Sequence, residues 1–277
     1  MSFPSTNNRE VSLGDVIAAI EEVAPKSLQE SWDNTGWQLL TPRQGASAPC
    51  TGVLTCVDVT EPIVEEAASQ GFNLIVSHHP VLFKGQKSLT GATQVERVIL
   101  EAMRRGVSIY SSHTALDSAP GVGISWEIGR RIGLTDMEVL APSAGNPEAG
   151  LGVIGNLSEA LTPGEFAERV KSALGVPVAV CSRPDDPRRP LRRVALCGGA
   201  GGEFLAEAIA RGADAYVSSD IRHHDIVDNR GDIFIVNIGH HEAERCAKDI
   251  FYHAITKKIP NFAVKSSEVE RDPVVYL

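Results

Sequence analysis

The stretch Leu74-Ile75-Val76-Ser77-His78-His79-Pro80 restricts the fold of this chain more than any other. It opens as an aliphatic, β-branched run of the kind buried on both faces of a parallel sheet. It closes in two adjacent histidines and a proline, which has no amide to extend the ladder. Neighbouring side chains on a straight strand face opposite ways, so His78 and His79 can share a ligand only where the chain bends out of the sheet. The lip of a buried parallel strand is where α/β sheets place their chemistry. The plain alternative is one histidine satisfied by a backbone carbonyl and the other in solvent.

A βαβ unit surrounds the stretch. Gly52 to Val57 reads as a strand ending at Asp58, and Thr60 with Pro62 opens a helix over 63–70 that Gly71 stops. Upstream, Ser12 and Asp15 stand at capping-box spacing over an apolar stripe of Leu13, Val16, Ile17, Ile20 and Val23. The segment Ser31-Trp32-Asp33-Asn34-Thr35-Gly36-Trp37-Gln38 is either a turn anchored by its two tryptophans or a source of Asp33 or Asn34 for a cleft. Downstream, a helix over 95–105 ends at Gly106, and a strand over 107–111 exits into His113-Thr114-Ala115-Leu116-Asp117. A helix holding Trp126 and Ile128 follows.

Residues 141–150 are rich in Ala, Pro, Ser, Gly and Asn and read as a domain boundary. Beyond them comes a strand near 152–154, then Thr162-Pro163-Gly164-Glu165 caps a helix that ends at Gly175. Strands over 176–181 and 194–197 follow, the second opening into Gly198-Gly199-Ala200-Gly201-Gly202 and a helix over 203–211. Last, a strand over 233–238 leads to Gly239-His240-His241-Glu242-Ala243-Glu244 and a helix to about Ile255.

The chain also repeats itself. A shift of 141 positions lays residues 53–77 over 194–218 without a gap, with seven of those 25 positions identical. The pattern predicts an α/β protein of two similar three-layer α/β domains related by internal duplication. The expected division is 1–140 plus 235–277 for the first, discontinuous domain and 141–234 for the second. Where the first copy has His78-His79, the second has Ser219-Asp220, so the fold itself does not require the histidine pair.

Three segments share one plan, a buried strand followed at once by histidine and carboxylate: His78-His79, His113 with Asp117, and His240 with Glu244. The last two pairs are spaced i, i+4, which places both side chains on one face where the segment is helical. Imidazole and carboxylate without thiolate suit Zn, Fe, Mn, Co or Ni and disfavour an iron–sulfur cluster. Five or six such ligands exceed one tetrahedral ion and suit two divalent metal ions bridged by a carboxylate. Glu244, longer than Asp117, is the choice for the bridge.

Composition excludes other classes. The net charge of -9 and pI near 5.4 disfavour a nucleic-acid groove, which needs clustered Lys and Arg. The basic cluster of Arg188, Arg189, Arg192 and Arg193 reads as a solvated loop. No apolar run is long enough for a membrane span, and Met1 to Glu10 lacks a leader's apolar core, so a cytoplasmic protein is expected. Five cysteines, none in a CxxC pair, predict no disulfide, with Cys56 and Cys197 as small buried hydrophobes.

The motifs SWDNTG, VSHHPVLFKG, SSHTALDSAPGVG, SDIRHHD and IGHHEAE, in this order, resemble the NGG-interacting-factor-three-like family. Its members are also labelled GTP cyclohydrolase I type 2 homologues or dinuclear metal-centre proteins. The resemblance spans roughly residues 31–247. It implies metal ligands at His78, His79, Asp117, His240 and Glu244, with Glu244 shared by both ions and His113 beside them. It also implies two α/β domains of similar topology and a toroidal homohexamer whose metal sites face an internal cavity. Ala243 and Ser219 depart from the Ser or Thr and the Gly usual at those places.

These features lead to a hydrolase that uses a metal-bridging hydroxide on a phosphoester, nucleotide or cyclohydrolase-type substrate, with His113, His224 or His241 moving protons. Lys84 suits a small anionic substrate. One alternative is a non-catalytic, ring-shaped metal-binding scaffold or partner-binding protein. Another is a dinucleotide held by Gly198–Gly202, although Phe204 stands where the third glycine of that motif belongs. A turn that lets helix and strand pack closely explains the same glycines.

Overall fold

The structure, a computed structural model, describes residues 10–277. The start read above as lacking a leader therefore lies, except for Glu10, outside the described residues. The chain forms two compact units. The first holds the residues up to Glu22, Asn34–Ser112 and Phe251–Glu270, and the second Val23–Asp33, His113–Ile250 and Arg271–Leu277. In chain order the strands are β1 (Gly36–Leu39), β2 (Val53–Cys56), β3 (Leu74–Ser77), β4 (Ser108–Ser111), β5 (Leu134–Ser143) and β6 (Asn146–Leu161). β7 (Val180–Cys181), β8 (Leu191–Ala200), β9 (Ala215–Ser219), β10 (Phe234–Ile238) and β11 (Val264–Ser266) complete them among the described residues.

In the first unit the sheet order is β1-β4-β3-β2-β11. β11, β2, β3 and β4 run parallel, and β1 is antiparallel to β4. Every residue of β2, β3 and β4 is buried, as the continuous apolar runs require. The helix Glu61–Ser69 joins β2 to β3, and Gln94–Arg105 precedes β4. Their apolar stripes pack on the sheet, where Leu54, Ile63, Val64, Ile75, Val98 and Ile109 form the core. Each such fully buried aliphatic side chain contributes about 1.5–3 kcal/mol. Gly71 and Gly106 end the two helices with φ of 74° and 71°. At the first helix, Leu13–Val23, the Asp15 amide donates to Ser12 Oγ (3.1 Å) and the Ser12 amide donates to Asp15 Oδ2 (2.9 Å). The shorter aspartate thus closes the box usually closed by Glu.

In the second unit the order is β5-β6-β8-β9-β10-β7. β8, β9 and β10 are parallel, while the β5-β6-β8 side and β7 are antiparallel. Leu140, Ile154, Ala195, Leu205, Tyr216 and Ile235 centre its core. Thr162 and Glu165 form a complete capping box over the helix Pro163–Leu174, which ends at Gly175.

Three local expectations change here. Residues 141–150 form the turn region of the β5–β6 hairpin, where Gly145 (φ 79°) and Gly150 (φ 150°) permit a tight reversal and a register shift. The Gly- and Pro-bearing composition read as a domain boundary serves a turn at this place. The strand expected over 176–181 narrows to Val180–Cys181 at the sheet edge. The last helix is two, His240–Glu244 and Ala247–Lys258.

The 141-residue offset also holds for the elements of the structure. Shifted by it, β2 falls within β8, the helix 61–69 on 202–210, and β3 on the first four residues of β9. Cys56 and Cys197 are both buried. No helix among the described residues is long and apolar enough to cross a membrane.

Candidate metal centre

Parallel neighbours end on the same edge of a sheet, and each unit uses that edge in the same way. In the first unit β2 is followed by Asp58 and its neighbour β3 by His78 and His79, with Cys56 opposite Ser77 in register. The His79 amide donates back to the Val57 carbonyl (2.9 Å), which turns the chain out of the strand. The two rings then sit with centroids 5.0 Å apart. His79 Nδ1 lies 2.8 Å from Asp58 Oδ1. His78 is fully buried, with Nδ1 3.1 Å from the Ser112 carbonyl. The bend thus lets adjacent residues share one neighbourhood, and the backbone-carbonyl partner holds for His78 alone.

In the second unit β9 is followed by Asp220 and its neighbour β10 by Gly239 and His240, with Ile238 opposite Ser219. His240 Nδ1 is 2.7 Å from Asp220 Oδ2, and His240 Nε2 is 3.0 Å from Glu244 Oε2, one turn on in the same helix. Glu244 is buried. Its hydrogen bond is the first cause that raises His240 to about 9; burial opposes the shift, and the Asp220 carboxylate adds to it. Burial first, then the charges of Asp117 and Glu244, push the Cys197 thiol up, so both carboxylates act on one buried residue.

His113 belongs to the same unit. Its Nδ1 is 2.8 Å from Asp33 Oδ1, whose other oxygen accepts from the Thr114 amide (3.0 Å) and hydroxyl (2.6 Å). The Asp33 side chain is wholly buried, and Trp32 meets the His113 ring edge-on at 6.1 Å. The turn over 31–38 therefore does both things considered for it, packing an aromatic and delivering a carboxylate. Thr114–Asp117 is a single helical turn with His113 at its N-cap, so Asp117 is helical and His113 stands just outside the helix.

The glycine run is explained by packing. A Cβ on Gly198 would strike Ile124, one on Gly199 the Glu244 carboxylate, and one on Gly201 the Cys197 side chain. Gly199 is space reserved for Glu244, not a phosphate cradle. His224 is exposed on the helix His223–Asp228, edge-on to His223 at 5.5 Å, and His241 is half-buried. Lys84 is exposed in the loop after Pro80.

The donor set fits a metal. A carboxylate or carbonyl against Nδ1 of His78, His79 and His113 places the proton there and makes Nε2 the nitrogen a metal takes. His240 has a carboxylate on each nitrogen and is held as imidazolium, whose Nε2 proton a metal would replace. A cation beside it stabilises a buried carboxylate such as Glu244, and imidazolium or metal can fill that role. Both units thus carry His donors, with Glu244 in the second, that could hold an ion. Reasoning from sequence did not find Asp58 and Asp220 as histidine partners. The available signal was that each ends a strand lying next to one that ends in histidine.

Known proteins agree with this fold. A "GTP cyclohydrolase 1 type 2 homolog" of Lactococcus lactis is 32% identical over 215 residues, covering 77% of this chain and 79% of its own length. "Protein NIF3 homolog" of Schizosaccharomyces pombe is 29% identical over 267 residues, with 92% and 94% covered. Among solved structures, Staphylococcus aureus SA1388 superposes with a TM-score of 0.87 at 25% identity, over 97% of this chain and 100% of that one. A Bacillus cereus protein related to NIF3 shares the fold with a TM-score of 0.87 at 23% identity, over 96% and 99%. The family profile described as Duf34/NIF3 (NGG1p interacting factor 3) matches residues 11–273, and the chain belongs to that family.

Proposed function

We propose that this protein is a dinuclear-metal hydrolase in which His78, His79, Asp117, His240 and Glu244 hold two divalent ions. The observation that carries the proposal is the anchoring of Nδ1 in four separate histidines, which makes Nε2 the metal- or proton-binding nitrogen of His78, His79 and His113, and of His240 once a metal displaces its Nε2 proton. Buried Glu244, with His240 at 3.0 Å, adds a carboxylate that a cation stabilises. Two bound ions would supply Lewis acidity and activate a water nucleophile near neutral pH.

The chain's own residues divide the remaining work. Asp33 keeps a proton on His113 Nδ1, so Nε2 can accept a proton from a nucleophile and return it to a leaving group. Thr114 saturates the second oxygen of Asp33 and fixes the dyad. His224, exposed beside His223, has no such anchor, so His113 is the favoured proton carrier. The relatives' printed names make GTP the first substrate to test, beside other nucleotides and phosphoesters. Assembly as a homohexamer belongs to the same proposal and is read by light scattering on the sized protein.

The test is hydrolysis of that panel by metal-loaded, chelated and His113→Ala protein. Activity that disappears with chelation and falls at least ~100-fold in His113→Ala is the expected result, the usual worth of general base catalysis. Activity that survives complete metal removal refutes the hydrolase. A protein that binds metal yet turns over nothing in the panel supports the scaffold instead.

A further inference from the structure

We propose that Asp58 and Asp220 are positioning residues: each holds one imidazole, His79 or His240, so that Nε2 alone is presented to a metal. This rests on the metal reading above. Both contacts have the same form, a carboxylate oxygen 2.8 Å from His79 Nδ1 and 2.7 Å from His240 Nδ1. A carboxylate can only accept, so the ring must carry its proton on the nitrogen facing it. The other nitrogen is then the one placed to take a metal, which in His240 already faces Glu244 Oε2 at 3.0 Å, and the ring can no longer rotate without losing a charge-assisted bond.

Each aspartate is itself held in place, which a chance surface contact would not need. Asp58 follows β2, and its amide and that of Val57 both donate to Glu270 Oε1, at 3.0 and 2.7 Å. Glu270 comes from the segment after β11, where its own amide donates to Ser267 Oγ (3.1 Å). Ser267 Oγ in turn donates to the buried Glu66 carboxylate (2.6 Å). A chain of bonds from the helix Glu61–Ser69 through the C-terminal strand therefore fixes the backbone that aims Asp58. Asp220 is held differently. Its backbone sits at φ 53°, a left-handed conformation uncommon for a residue with a Cβ. The next amide, Ile221, donates to Asn237 Oδ1 (3.2 Å) on the neighbouring strand.

The two pairs repeat one arrangement, although the 141-residue offset lays Asp220 over His79 and not over Asp58. In each unit a parallel strand ends in aspartate and its neighbour ends in the histidine. The Asp33–His113 contact shows the same chemistry a third time, from a turn and not a strand.

The experiment measures Zn2+ and Co2+ affinity of the full chain by competition with a chelating indicator, for wild type, Asp58→Asn and Asp220→Asn. Glu101→Gln, on a surface helix and paired with Arg104 and Arg105, is the control. Asparagine keeps the shape and removes the charge. The expected result is a 10- to 100-fold loss of affinity in each aspartate variant, with altered Co2+ absorption bands and an unchanged control. Affinity within twofold of wild type in both variants overturns the positioning role and leaves the metal centre standing. A wild type that binds neither ion overturns the metal reading, and this inference with it. Should the variants not fold, 15N NMR of the histidines in the Zn2+-loaded wild type decides: protonated Nδ1 with ligated Nε2 is expected, and ligated Nδ1 refutes the proposal.

Discussion

Gly199 leaves the space that the Glu244 carboxylate fills: a Cβ at that position would overlap Glu244 Oε1 and lie 3.7 Å from His240 Cε1. Its φ of +69° adds a backbone penalty for any other residue. Gly199→Ala is therefore expected to destabilise the protein by more than the ~1 kcal/mol of a left-handed alanine and to weaken metal binding at least ~10-fold. Gly71→Ala separates the two effects, since Gly71 has φ +74° with nothing within 4 Å of the added Cβ. It should lose about 1 kcal/mol in a urea titration and keep its metal. Equal metal affinity in both variants would show that Glu244 has room to move.

Low pH should loosen the start of the helix Gln94–Arg105. The Thr90 hydroxyl (2.7 Å) and the amides of Thr90 (2.8 Å) and Ala92 (3.1 Å) donate to Glu96 Oε2 and hold this carboxyl at about 2 against the usual 4.5. A depressed carboxylate stabilises the fold fully above 4.5, and the contribution fades as pH falls from 4.5 towards 2. The urea midpoints of wild type and Glu96→Gln should differ at pH 7 and converge between pH 4.5 and 2. A constant difference across that range contradicts the assignment.

Thr162→Ala removes one half of a complete capping box, in which the Thr162 hydroxyl accepts from the Glu165 amide. A loss of about 1 kcal/mol is expected by chemical denaturation, with metal content unchanged. A change in metal content would mean that the helix Pro163–Leu174 has a role in the centre not assigned to it above.

What the sequence made legible depended on range. Helix ends at Gly71, Gly106 and Gly175, the boxes at Ser12 and Thr162, and the buried strands are local signals, and the structure has each of them. The repeat added the pairing of the βαβ units, because periodic similarity reports architecture directly. The aspartates that aim the imidazoles were not legible, since Asp33 and His113 are 80 residues apart and Asp58 and His79 are 21 apart. Only strand adjacency brings the second pair together, and no local propensity encodes it. The β5–β6 hairpin was masked because Gly and Pro mark turns and linkers alike. The end of the helix at Glu244, before Arg245 and Cys246, carries no Gly or Pro at all.

The most direct test is the metal content of the purified full chain, measured by elemental analysis for wild type, His78→Ala and Glu244→Ala. Two divalent ions per chain in the wild type, with loss of at least one in each variant, is the expected outcome. Undiminished metal in both variants, or a wild type that retains none after exposure to Zn2+, Mn2+, Fe2+, Co2+ and Ni2+, would contradict it.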